Sequence, residues 1–112
     1  MTITILEYLD ERGVSAFDQW FEELNAAAAA KVAASLYRVE QGNLSRVKGV
    51  GGGIFEYKID FGPGYRIYFG KDGEELIILL GGGSKKRQAA DIEAALSRWK
   101  DYKRRKRQEV TQ

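Results

Sequence analysis

Between Ile54 and Gln88 the chain interleaves cations with apolar and aromatic residues. Lys58 stands between Tyr57 and Ile59, Arg66 and Tyr68 flank Ile67, and Lys85, Lys86 and Arg87 follow a run of three glycines. A phosphodiester substrate makes good use of such a set. Arginine grips phosphate oxygens through paired N–H bonds and stabilises charge that builds in the transition state, while tyrosine stacks on a base or aligns a hydroxyl. The chain contains no histidine, so Ser-His, Cys-His and His-metal mechanisms are excluded. An RNA-cleaving site would need Lys, Tyr or a carboxylate to take the 2′-hydroxyl proton. A lysine gives up its proton more readily among other cations, which makes Lys58 or Lys85 the candidate base. The candidate catalytic set is therefore Lys58, Arg66, Lys85 and Tyr68, with Arg46, Lys48, Lys86 and Arg87 as an RNA-binding rim. No metal site is expected, because Glu56 and Asp60 are interleaved with Lys and Arg where a divalent cation wants converging carboxylates. No cofactor is expected either, since the glycines at 51–53 lack the spacing of a phosphate-binding loop.

The competing account of the same residues is a solvated strand face laced with cross-strand ion pairs, Arg66 opposite Asp60 being the obvious one. Charge distribution bears on the choice. Residues 1–83 carry 8 Lys/Arg against 12 Asp/Glu, a net of −4, whereas residues 84–112 carry 10 against 4, a net of +6. Such an asymmetry favours a polyanion or an acidic protein as partner. The run from Lys103 to Arg107 reads as a frayed solubilising end or a nonspecific polyanion contact rather than a specific recognition element.

At 112 residues the chain suits one domain with one site. We expect that domain over residues 1–107 and a flexible tail over 108–112. No apolar run approaches the roughly 20 residues of a membrane-spanning helix, and Met1–Leu9 lacks the pattern of a secretory signal. With no cysteine, neither a disulfide framework nor a thiolate zinc site is available, which suits a reducing cytoplasm.

The elements that must position these residues follow from periodicity. Alternation over Thr2–Leu9 predicts a strand. Ser15 followed by Asp18 predicts a helix start, and Phe17, Trp20, Phe21 and Leu24 give that helix an aromatic core face. Asn25 caps a second, alanine-rich helix that ends at Gly42. Residues 43–53 read as a connector whose glycines could let backbone approach a ligand. Phe55, Tyr57, Ile59 and Phe61 then share one strand face, with Glu56, Lys58 and Asp60 on the other. A three-residue loop at Gly62–Gly64 would set Phe61 opposite Tyr65, Asp60 opposite Arg66 and Lys58 opposite Tyr68. Leu76–Leu80 is a strand covered on both faces, Gly81–Gly83 end it in a bend, and a basic helix runs from about Lys86 to Arg107 on a narrow apolar seam. The expected fold is α+β, in the order β-α-α-β-β-β-α. A small, mainly antiparallel sheet is packed by a helical hairpin and a C-terminal helix.

The run FEYKIDFGPGYRIYFG and the later LLGGGSKKRQAADI resemble the RelE/ParE/HigB superfamily of toxins from toxin-antitoxin systems, in particular its HigB-like addiction-module-killer branch. GPGYR at 62–66, LLGGG at 79–83 and the set Lys85, Gln88, Asp91 and Ile92 carry the resemblance most specifically, and DQWF in the first helix adds to it. The resemblance implies a compact α+β toxin that cleaves mRNA on the ribosome without metal. It implies a partner antitoxin, commonly a small helix-turn-helix protein, and a cytoplasmic location. By the same resemblance Arg66 matches the phosphate-stabilising arginine, Lys58 the basic position of the preceding strand and Lys85 the basic position after the glycines. The terminal tyrosine of the best-known ribonucleases has no clear match here, and Tyr68 or Tyr65 would have to substitute. Two other functions remain compatible with the resemblance: a noncatalytic ParE-like binder of a protein such as DNA gyrase, or an inactive form that only binds its antitoxin.

Overall fold

The computed structural model describes residues 2–110. Its elements run β1 (Thr4–Glu7), α1 (Ala16–Glu22), α2 (Ala26–Glu40), β2 (Val47–Gly51), β3 (Ile54–Ile59), β4 (Tyr65–Lys71), β5 (Leu76–Ser84), a 3₁₀ turn at Lys85–Arg87 and α3 (Gln88–Val110). The sheet order is β1-β5-β4-β3-β2. Only β1 and β5 run parallel; the other pairs are antiparallel. The α+β architecture is the expected one with one strand more than expected, because the connector after α2 contains β2. Its sequence VKGVG, poor in apolar residues and broken by glycine, offers no alternation to read.

Local chemistry sets the helix limits. The Ser15 hydroxyl accepts the Asp18 N–H at 3.0 Å and the Asn25 side chain accepts the Ala28 N–H at 2.9 Å, so each helix begins on a side-chain cap. At the end of α2, Gly42 takes φ +88° and donates to Val39 O, while Asn43 donates to Arg38 O. That pair of bonds is a Schellman motif, which requires the left-handed conformation glycine tolerates. α3 continues to Val110, past the expected limit at Arg107; Thr111 and Gln112, part of the expected tail, lie outside the described residues.

The sheet is buried on both faces. One face carries Tyr57, Ile59, Ile67, Phe69, Ile77 and Leu79 and packs against Phe17 of α1 and Val32 and Val39 of α2. The opposite face carries Ile54, Tyr68, Ile78 and Leu80 and packs against Ala95 and Trp99 of α3. Leu76–Leu80 is thus covered on both sides, as its continuous apolar run predicts.

The glycine triplet does not end β5. Gly82 and Gly83 pair with Ile67 and Arg66, and the strand reaches Ser84. These glycines are needed for close approach. A Cβ on Gly82 would lie 2.3 Å from the Trp20 ring of α1, and one on Gly83 would lie 1.9 Å from Asp91 Oδ2 of α3. Helices therefore press onto β5 from both sides, at positions where only hydrogen fits. The glycines before β3 work similarly. Gly52, at φ +62°, leaves room for Leu96 of α3, so the backbone approach expected there is to the chain's own last helix.

Candidate functional site

The β3–β4 hairpin closes through five residues, Asp60–Gly64, instead of three. Gly64 N–H donates to Phe61 O at 2.9 Å, with Gly62 at φ +56° and Pro63 between them. The register consequently shifts by two from the expected one. Lys58 lies opposite Arg66, Glu56 opposite Tyr68 and Ile59 opposite Tyr65. A shift of two preserves the facing of every side chain but changes its partners. The expected Asp60–Arg66 pair is therefore absent, and Arg66 pairs diagonally with Glu56.

That pair is buried. Arg66 Nε lies 2.5 Å from Glu56 Oε1, with the two residues 7 % and 1 % exposed. Gln88, in the first turn of α3, donates from Nε2 to the same oxygen at 2.8 Å, and Lys48 Nζ of β2 sits 3.9 Å from Oε2. One carboxylate thus gathers a strand cation, a helix amide and a rim lysine. The geometry at Arg66 Nε is a close ion pair rather than an aligned hydrogen bond, and its Nη1 has no protein partner.

Tyr68 has 0 % exposure and lies in the core beneath α3. This corrects the expectation of an open polar face. The side chains of Glu56, Arg66 and Tyr68 do share a face, but α3 covers it. Burial, reinforced by the charges of Glu56 and Asp91 and opposed by Arg66, pushes the Tyr68 phenol up to about 12, so it stays protonated near neutral pH. Its hydroxyl has no protein partner.

The other candidates spread around this buried pair. Lys58, exposed, makes only a loose 3.7 Å contact with Asp60, which Arg46 also approaches at 3.8 Å. Lys85 donates its backbone N–H to Gly64 O at 3.0 Å, which fixes the start of the 3₁₀ turn beside the β3–β4 loop. Lys58, Arg66 and Lys85 therefore collect at one end of the sheet. Lys86 is exposed on the same turn. Arg87 turns to a different cleft, between α1 and α3 above Gly81–Ser84, where it lies 3.8 Å from Asp91. Burial raises the Asp91 carboxyl against the opposing pull of Arg87 and Arg98. Because β4 separates β5 from β3, the turn that carries Arg87 leaves a strand roughly 10 Å from the one that carries Lys58.

Sequence reasoning missed two members of this arrangement. Glu56 was a flanking acid until the register made it the partner of Arg66, and Gln88 carried no chemical signal because its contact crosses 32 residues. A groove of about 850 Å³ between β1 and α2 is a poor place for phosphate. Its charged walls are Glu7 and Glu40, and the remainder is apolar. Among the described residues no three carboxylates converge as a metal site would need.

Residues 19–100 match the family described as phage-derived protein Gp49-like (DUF891). The chain belongs to this family. The Gp49-like proteins are RelE-like toxins, which makes this protein a member of the RelE superfamily and implies an antitoxin as partner. A relative in Haemophilus influenzae, itself uncharacterised, is 45 % identical over 80 residues, spanning 70 % of this chain and 81 % of that protein. Among solved structures, a mutant of the E. coli toxin RelE in its free state superposes with a TM-score of 0.63 at 17 % identity, over 88 % of this chain and 98 % of that one. The Gp49-like chain therefore has the RelE fold. Among its described residues no helix is long and apolar enough to cross a membrane.

Proposed function

We propose that this Gp49-like toxin is a metal-independent mRNA endoribonuclease that acts on the ribosome in the cytoplasm and is restrained by a small helix-turn-helix antitoxin. The observation that carries the reading is the row formed by Lys58 and Arg66, directly opposite on neighbouring strands at the sheet end where Lys85 begins the turn into α3.

In the proposed reaction one of the two lysines, Lys58 or Lys85, takes the proton of a ribose 2′-hydroxyl. The 2′-oxygen attacks phosphorus, the bond to the 5′-oxygen breaks, and the other lysine returns a proton to that oxygen, leaving a 2′,3′-cyclic phosphate. Arg66 Nη1, the part of the fork that Glu56 leaves unengaged, meets a non-bridging phosphate oxygen as charge builds. Engaging it requires the first turn of α3, tied down by the Gln88–Glu56 bond, to shift. Lys48, Lys86 and Arg46 hold flanking phosphates. Arg87, on the far cleft, binds RNA outside the reacting group, and Tyr68 supports the Glu56–Arg66 layer from below.

Induction followed by mapping of mRNA 5′ ends tests this. New ends are expected for the wild-type protein and their loss for Lys58→Ala and for Lys85→Ala. These exposed residues are better probes than Arg66, whose truncation strips Glu56 of its buried partner. Each variant must still bind the antitoxin. Growth arrest with intact mRNA and a DNA-damage response would refute cleavage and indicate a gyrase-type target.

A further inference from the structure

A second concave surface adjoins Lys58 on the side of α2. It is a cleft of about 210 Å³ between that helix and the β3–β4 hairpin, lined by Lys31, Ser35, Arg38, Arg46, Lys58 and Phe61 with Asp60 at the mouth. Positions 31, 35 and 38 fall on one stripe of the helix, and Arg38 stands two turns, about 10 Å, from Lys31. Ala34 between them projects too little to fill the space. Ser35 is buried with its hydroxyl turned back to Lys31 O at 2.9 Å, so it does not compete for a ligand.

Four cations here face one carboxylate. Asp60 is shared by Arg46 and Lys58 at 3.8 and 3.7 Å, both loose and exposed. Among the described residues neither Lys31 nor Arg38 has a carboxylate partner. Half of the 8 cations in the otherwise acidic residues 1–83 thus converge on one small concavity. Exposed pairs of this kind add little stability, and the fold gains nothing from bringing the charges together. Phe61 supplies the other component, an aromatic ring with Lys31 Nζ 5.5 Å from its centre. A positively charged groove with an aromatic platform is what a single nucleic-acid strand recognises, through its phosphates and one stacked base.

We infer that this cleft binds the backbone of single-stranded RNA flanking the reacting phosphate, with Lys31 and Arg38 on phosphates and Phe61 beneath a base. Lys58 belongs both to the cleft and to the row with Arg66, so the strand continues from one to the other. The inference rests on the ribonuclease reading and gives it a path for the substrate. It also assigns function to two residues of α2, Lys31 and Arg38.

The test is fluorescence anisotropy of a 5′-labelled RNA of about 12 nucleotides against the full chain, as a function of salt. For single strands each neutralised phosphate contributes about 0.7 to the slope of log K against log salt, so K31Q/R38Q should flatten the slope by about 1.4. The control K100Q/R107Q removes the same charge from α3 and should leave the slope within about 0.3 of wild type. Glutamine keeps helix propensity, and equal melting temperatures check that all three proteins are folded. Phe61→Leu should weaken binding roughly five- to a hundredfold without changing the slope. Equal flattening by both double variants, or none by K31Q/R38Q, overturns the cleft. If mRNA cleavage by the wild type persists in that case, the ribonuclease reading survives alone. Wild-type protein that neither binds nor cleaves RNA overturns both. Displacement of RNA by oligoglutamate of equal charge as readily as by unlabelled RNA would show a reader of charge alone and end the assignment to RNA.

Discussion

Glu56→Gln removes one charge and almost no volume, and the structure gives it a large effect. The guanidinium of Arg66 would remain under α3, with its residue 7 % exposed, facing a neutral amide where a carboxylate stood at 2.5 Å. Stripping one partner from a buried ion pair costs about 3–5 kcal/mol, mostly the desolvation of the charge left behind. A chain of this length loses about 4 °C of Tm per kcal/mol, so Tm should fall by roughly 12–20 °C. Arg66→Met should cost less, about 3 kcal/mol, because Lys48 and Gln88 stay with Glu56 and an unpartnered Nη1 disappears. The double variant leaves no charge to desolvate and should return to within about 2 kcal/mol of wild type. Urea unfolding followed by tryptophan fluorescence, run as a double-mutant cycle, measures all three. A cost below about 1 kcal/mol for Glu56→Gln, or additivity of the singles within about 0.5 kcal/mol, would refute the reasoning. Arg66 would then be hydrated in solution, with α3 off the sheet.

Other expectations are simpler to check. Tyr68→Phe deletes a buried hydroxyl without a protein partner, so Tm should hold or rise by up to about 8 °C and cleavage should stay within about threefold; a large loss of cleavage with intact Tm would make that hydroxyl part of the chemistry. Lys58→Ala, at an exposed site, should shift stability by no more than about 0.5 kcal/mol while abolishing new 5′ ends. Gly82→Ala puts a methyl against the Trp20 ring and should cost about 1–3 kcal/mol as overpacking, visible in thermal unfolding. The Tyr8 hydroxyl and then Arg105 hold the Asp101 carboxyl at about 2, below its ordinary 3.8. A depressed folded-state value gives stability that is complete above the unfolded pKa and lost as pH falls toward the folded one. An acid titration should therefore show loosening of α3 between pH 3.8 and about 2, and Asp101→Asn should flatten that limb.

Alternation and capping made most of this fold readable in advance. The facing of Phe55, Tyr57 and Ile59 against Glu56 and Lys58, the caps at Ser15 and Asn25, and the stop at Gly42 are local, and local signals persist in the folded state. What was not legible depended on distant chain. The hairpin loop spans Asp60–Gly64 because Gly64 bonds to Phe61, and this two-residue difference exchanged the partner of Arg66. The polar strand face looked solvated because nothing within it says that Ile92, Leu96 and Trp99 lie across it. Gly81–Gly83 looked like a bend, since the need for glycine there comes from Trp20 and Asp91, some 60 residues before and eight after. Lys31 and Arg38 belong to no motif in the sequence, and only the folding of the hairpin beside α2 brings them to Lys58.

Net charge is a poor guide to where this protein meets a polyanion. Residues 84–112 carry a net of +6, yet much of that charge is engaged within the fold. Arg98 donates to Leu80 O, Arg104 and Arg105 pair with Asp101, and Lys106 pairs with Asp72. Arg98, Arg105 through Leu9 O, and Lys106 fasten α3 to the rest of the fold, and Lys100, Lys103 and Arg107 are strung along a helix about 35 Å long. A phosphate chain gains most where cations are close, weakly compensated and concave, and those conditions meet at Lys31, Arg38 and Lys58, within residues 1–83, whose net charge is negative. The basic helix is thus chiefly a structural element whose charges dock it, and the place where RNA is expected to bind lies on the opposite side of the sheet's open end.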